Sequence, residues 1–201
     1  MTTISFNDTR WKPLGKVTHK PTISKDGNEI RFPTEAGTDW WRTPEVDSQN
    51  GLVYGYDQAI GKEGLEISVD VDVRPEIQVG FLCPWGGLSD QAALFLKLDD
   101  ITWIKAGLEF DNGKIWAGVV ITSPYSDWSL QSPPPDQSRF TFALKGQKLK
   151  VYLNDEMIRE VNVFGDGKAQ KGFVGVMGCS PKGGGAEVTF RDFTVREGVR
   201  D

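Results

Sequence analysis

In the run Trp103-Ile104-Lys105-Ala106-Gly107-Leu108-Glu109-Phe110, an indole, an ammonium and a carboxylate fall on alternate positions around a glycine. Successive side chains of a β-strand point to opposite faces. Ile104, Ala106, Leu108 and Phe110 therefore form one apolar face, ready for a core. Trp103, Lys105, Gly107 and Glu109 form the other, which reads as a binding surface rather than an ordinary solvated one. An indole face stacks on C–H patches, and carboxylate and ammonium groups hydrogen-bond hydroxyls, so the row suits a sugar or a similar polyhydroxylated ligand.

The strand is followed by Asp111-Asn112-Gly113, and Asn-Gly favours a tight hairpin because both residues tolerate positive φ. With a two-residue loop, Asp111 pairs with Lys114 and Glu109 pairs with Trp116. The same alternation recurs along the chain. Leu65, Ile67, Val69, Val71 and Val73 form one run, ended by Pro75, and Ile77, Val79 and Phe81 form the next. Leu94, Leu96 and Leu98 alternate with Phe95 and Lys97, and Ile115, Ala117, Val119 and Ile121 alternate with Trp116, Gly118 and Val120. Later runs centre on Phe140–Leu144, Leu149–Leu153, Ile158–Val163, Phe173–Met177 and Val188–Val195, with turns at Gly146-Gln147 and Asn154-Asp155. Three stretches read as loops: Glu35–Asp39, Ser123–Ser138 with its Pro133-Pro134-Pro135, and Pro181–Gly185. About eleven to fourteen strands without a helical stripe imply two packed antiparallel sheets, each burying its apolar face. A length of 201 residues fits one all-β domain over 1–201.

Composition narrows the function. Lys and Arg number 23 against 28 Asp and Glu, for a net charge of −5, and no basic stripe tracks a phosphate backbone, so no nucleic-acid partner is expected. No apolar stretch is long enough to span a bilayer and no secretory signal is visible, so no membrane partner is expected. The two cysteines, Cys83 and Cys179, read as free thiols in a reducing cytosol. A single histidine, His19, leaves no multi-histidine metal site, and no cofactor motif occurs.

The motifs Gln91-Ala92-Ala93-Leu94, Trp103–Glu109 and Ser126-Asp127-Trp128-Ser129 resemble the small concanavalin A-like domain family that includes the yeast "regulation of enolase" protein. Trp40-Trp41 and Phe190-Arg191-Asp192-Phe193 also fit it, so the resemblance covers about Trp40 to Val195. It implies an all-β jelly-roll sandwich with a concave sheet, and it implies no settled activity. On this resemblance Trp103, Lys105 and Glu109 lie on the concave face, Gln91 opens the neighbouring strand, and Asp127 and Trp128 stand at the rim beyond the next strand end. Of the adjacent Trp40 and Trp41, one indole faces the core and the other the outside. The candidate ligand-binding residues are thus Trp40, Gln91, Trp103, Lys105, Glu109, Trp116, Asp127 and Trp128. Plainer readings stand beside these roles. Trp103 and Trp116 could simply pack beneath a loop. Lys105 and Glu109 could form a structural ion pair worth about 0–1 kcal/mol if exposed. Ser126 or Asp127 could cap a turn.

Glu109 and Asp111 lie about 7 Å apart by strand rise, within the range of paired glycosidase carboxylates. Concanavalin A-like glucanases carry Glu-x-Asp followed two or three residues later by a further Glu. Here Asn112-Gly113-Lys114 follows instead, so no catalytic residue is assigned. The expected function is a cytosolic, non-catalytic module that binds a carbohydrate or small polar ligand and regulates carbohydrate metabolism. The alternatives are a regulator that binds a glycolytic enzyme such as enolase, and a glycoside hydrolase.

Overall fold

The computed structural model describes residues 1–15, 19–75, 89–111, 114–132, 138–162 and 171–200. The expected Ile77–Phe81 strand, Cys83, the Asn112-Gly113 turn, Val163 and the triple proline lie outside them. Among the described residues there are seventeen strands and no helix. The count exceeds the expectation because several strands of two or three residues carry no readable alternation. In chain order they are β1 (Thr2–Thr3), β2 (Lys12–Leu14), β3 (Thr22–Ile23), β4 (Glu29–Pro33), β5 (Trp40–Arg42), β6 (Asp47–Gln49), β7 (Leu52–Ala59), β8 (Leu65–Pro75) and β9 (Asp90–Asp99). There follow β10 (Thr102–Asp111), β11 (Lys114–Thr122), β12 (Ser126–Gln131), β13 (Ser138–Lys145), β14 (Lys148–Leu153), β15 (Glu156–Asn162), β16 (Lys171–Cys179) and β17 (Ala186–Glu197).

Two antiparallel sheets face each other. One runs β15-β14-β13-β8-β17-β4-β3, with β1 added on β17. The other runs β12-β11-β10-β9-β16-β7-β2. This is the expected all-β concanavalin A-like jelly-roll sandwich. The inward residues of the expected runs make the core: Ile67, Val69, Phe140, Phe142 and Val151 from one sheet meet Leu94, Leu96, Ile104, Ala106 and Val119 from the other. Non-directional burial of this kind is the main favourable term in folding. The expected turn at Asn154-Asp155 is present, with φ of +48° and +68°.

Three features depart from simple alternation. First, Phe190 and Phe193 are both in the core although three residues apart. The register slips between Arg191 and Thr194, where Asp192 takes a φ of +51°, and this bulge reverses the phase of β17. Second, Ser126–Gln131 is a strand rather than part of a loop. It pairs with β11 from Thr122↔Ser126 to Ala117↔Gln131, so the sheet gains an edge that its serines concealed. Third, the short hairpin β5–β6 belongs to neither large sheet. It lies over the outer face of the seven-stranded sheet, held there by the Arg42 N–H to Ser126 Oγ (2.9 Å) and Gln49 Nε2 to Asp100 O (3.1 Å).

The outer face of the other sheet carries a buried carboxylate. Glu66 on β8 is fully enclosed and accepts from Arg196 Nη2 (2.9 Å), Arg200 Nη2 (3.0 Å) and the Arg200 N–H (2.9 Å). Burial alone would raise its pKa, but the Arg200 hydrogen bonds and the Arg196 charge outweigh it and hold the carboxyl below its ordinary value. A carboxylate with a lowered folded pKa contributes stability above its unfolded pKa, and that stability is lost as pH falls through the folded value. Arg200→Ala is therefore expected to cost about 1–3 kcal/mol at neutral pH. In denaturant melts the gap from the parent chain should narrow as Glu66 protonates in acid.

Candidate functional site

Antiparallel register assembles the site. On β10, Glu109 stands opposite Trp116 of β11 and Gln91 of β9, and Asp111 opposite Lys114, as the turn arithmetic requires. Gly107 stands opposite Gly118 and Ala93, and Lys105 opposite Val120 and Phe95. Trp128 of β12 then adds beside Val120, and Cys179 of β16 beside Gln91. All these side chains share the outer face of the seven-stranded sheet.

That face is divided in two. At one end Trp40, on the hairpin, lies edge-on to Phe95 and Trp103, with ring centroids 4.7 and 5.5 Å apart, and its Nε1 donates to Gly51 O at 3.0 Å. With Val53, Phe173 and Met177 these rings form a second, smaller core. Trp103 is consequently 0 % exposed and Trp40 2 %. Neither offers a ring face to a ligand, which corrects the expectation of an indole platform at Trp103. The reason is long-range: the hairpin folds back over the sheet, an event with no local sequence signal. Of the tryptophan pair, Trp40 is buried and Trp41 half-buried, in keeping with their alternation.

The other end is polar. The Lys105 side chain runs along its own strand past Gly107, and its Nζ donates to Gln91 Oε1 (2.8 Å) and Asp39 Oδ1 (2.7 Å). The ion pair is with Asp39, not with Glu109 as same-strand spacing suggested. Asp39 ends a stretch that reads as plain loop, so local patterning gives it no role. The one sequence signal was an acid directly before two tryptophans. Cys179 also joins the site, with no local sequence signal for it. Its Sγ lies 3.3 Å from Gln91 Oε1 and 3.7 Å from Asp39 Oδ1, and burial pushes its thiol pKa far up, so it is a neutral donor. It is a free cysteine.

Glu109 is 5 % exposed. Burial raises its pKa, and the neighbouring Lys105 charge and the Trp128 hydrogen bond pull it only partly back, while Asp111 and Asp39 add to the rise. Trp128 Nε1 donates to Glu109 Oε2 at 3.2 Å, yet the residue is 45 % exposed. The indole is thus held at its N–H edge while nearly half of the residue remains exposed. Trp116 is half-buried, with its Nε1 donating to Asp111 O at 3.3 Å. Asp127 does not join the group. Adjacent residues of a strand face opposite ways, so it turns toward the other sheet and pairs with Arg159 Nη2 at 2.7 Å. Between the polar groups lies a hollow of about 10 Å³, lined by Gln91, Lys105, Gly107, Glu109, Gly118 and Val120 among others. That is room for one water-sized group. Among the described residues no cluster of three or more His, Cys, Asp or Glu could hold a metal, and no helix is long and apolar enough to cross a membrane.

Two facing antiparallel sheets in this order, with a small hollow and a tethered tryptophan on one outer sheet face, define a concanavalin A-like jelly-roll protein. Within that class the chain belongs to the family described as "Protein of unknown function (DUF1349)", whose model matches residues 17–198. It is 25 % identical over 186 residues to "Regulation of enolase protein 1" of Saccharomyces cerevisiae, covering 90 % of this chain and 88 % of that one. A crystal structure of a functionally unknown protein from Saccharomyces cerevisiae superposes with a TM-score of 0.77 at 20 % identity, over 98 % of this chain and all of the other. The carbohydrate binding module CBM66 from Bacillus subtilis superposes with a TM-score of 0.53 at 13 % identity, over 95 % and 98 % of the two chains. At these identities the two superpositions bear on the fold.

The raised pKa of Glu109 carries a sign for stability. An acid whose folded pKa exceeds its unfolded one loses stability as pH rises between the two values. Glu109→Gln keeps an acceptor for Trp128 and removes the charge. It is expected to raise Tm by a few degrees at neutral pH and to leave it unchanged in acid, where Glu109 is already neutral.

Proposed function

We propose that the chain is a non-catalytic binding protein of the cytosol whose outer sheet face takes a carbohydrate, with a regulatory role in carbohydrate metabolism. The observation that carries this reading is Trp128: its indole N–H is bound to the buried Glu109 carboxyl, which lines the hollow, while nearly half of the residue stays exposed. A ring held in this way can stack on the C–H face of a pyranose without loss of rotamer freedom on binding. Neighbouring polar groups then accept and donate to its hydroxyls. The likeness of the fold to a carbohydrate binding module supports the same reading. Titration calorimetry with neutral glycosides is expected to give weak, saturable binding, about tenfold weaker in Trp128→Ala. Equal affinity in the variant would remove Trp128 from the reading.

A second reading, a regulator that docks on a glycolytic enzyme such as enolase, draws on the name of the yeast relative. It also draws on Tyr125 and Trp128, aromatic side chains that are both about half exposed and near each other in the chain. Co-elution of the purified chain with enolase, lost in Trp128→Ala, would favour it.

A further inference from the structure

Gly118 sits in the middle of β11, where a glycine weakens a strand, and nothing in the backbone asks for it. Its φ is ordinary. The atoms nearest to a Cβ built there belong to side chains: Glu109 Oε2 at 3.1 Å, Leu130 Cδ2 at 3.5 Å and Glu109 Cβ at 3.7 Å. Its cross-strand partner Gly107 is different. A Cβ there would lie 1.9 Å from Ala92 O and 2.5 Å from Ala93 Cα, so packing against β9 demands that glycine. The β11 backbone does not demand Gly118; the glycine makes room for the Glu109 carboxyl and lines the hollow beside it. A mid-strand glycine of this kind often marks the place where a ligand approaches closely.

We propose that the hollow at Gly118 is a specificity pocket that admits one uncharged hydroxyl group of the ligand, with Glu109 as the residue that reads it. Size supports this, because the hollow matches a single oxygen-centred group. Charge supports it as well. Glu109 and Asp39 bring two acids to this end of the face, and the Lys105 ammonium beside them already serves Asp39 and Gln91. An anionic group of a ligand would face those acids, and the one cation among the described residues that line the hollow, Lys105, is already engaged. The ligand class is thus a neutral pyranoside rather than a uronate or a sulfated sugar. The Trp128 ring stacks on the sugar while one hydroxyl enters beside Glu109. The proposal rests on the carbohydrate-binding reading above.

The test uses the full chain and a panel of methyl glucoside, galactoside and mannoside, with glucuronate as the anionic control. At least one neutral glycoside should bind the parent chain, and Gly118→Ala, whose methyl crowds the Glu109 carboxyl and fills the hollow, should weaken it tenfold or more while the chain stays folded. Glucuronate should not bind at the same concentration. Full affinity in Gly118→Ala, with binding lost in Trp128→Ala, would overturn the pocket and leave the carbohydrate reading standing. Binding of glucuronate as tightly as of the glycosides would overturn the requirement for a neutral ligand. Absence of binding by every neutral glycoside would overturn both readings. Should Gly118→Ala not fold, the Gly118 amide resonance of the parent chain serves instead. It should shift as the glycoside saturates the protein, and a resonance that stays in place overturns the pocket.

Discussion

Lys105 places an ammonium group, 3 % exposed, in the middle of a sheet face, and such a charge survives burial only with partners. Asp39 and Gln91 supply them. Asp39 lies at the entrance to the β5–β6 hairpin, so the ion pair that neutralises Lys105 also fixes where the hairpin begins. Trp40 follows directly and drops onto Phe95 and Trp103. One electrostatic requirement thus sorts the face into a dry half under the hairpin and a polar half around Glu109. It also explains how β10 can bury Thr102 through Glu109 without a break. Its inner side chains enter the space between the sheets, and its outer ones enter a second core built by a distant segment.

The polar half depends on small residues. Gly107, Ala93 and Gly118 leave room for two long side chains to lie flat: Lys105 reaching to Gln91, and Glu109 turned toward Trp128. Burial and charge then make the two groups unequal. The ammonium is tied down by two acceptors, whereas the carboxyl is held toward its neutral form and has the exposed indole as its hydrogen-bond donor.

Local rules carry a long way in this chain. The period-two runs place the inward residues of β8 to β11 correctly, and turn chemistry gives the pairing of Glu109 with Trp116. What escapes them is non-local or shifts phase. The burial of Trp103 depends on a hairpin more than fifty residues earlier in the chain, and the role of Asp39 depends on a lysine on another strand. The bulge at Asp192 lets Phe190 and Phe193 share one core, which strict alternation forbids. Strand β12 is hidden by serines, whose preference for turns is overridden by an available edge of the sheet.

That strand also joins two parts of the molecule. Asp127 and Trp128 are neighbours on β12 and point to opposite sides. One grips Arg159 of β15, on the edge of the opposing sheet, and Gln131 Nε2 adds a bond to Ile158 O at 3.2 Å. The other is bound to Glu109 on the ligand-facing side. β12 therefore works as a shared hinge pin: the seam that keeps the two sheet edges from opening and the ring that greets a ligand hang on the same two peptide units. Whatever steadies the ring steadies the seam, and fraying at the seam would loosen the ring.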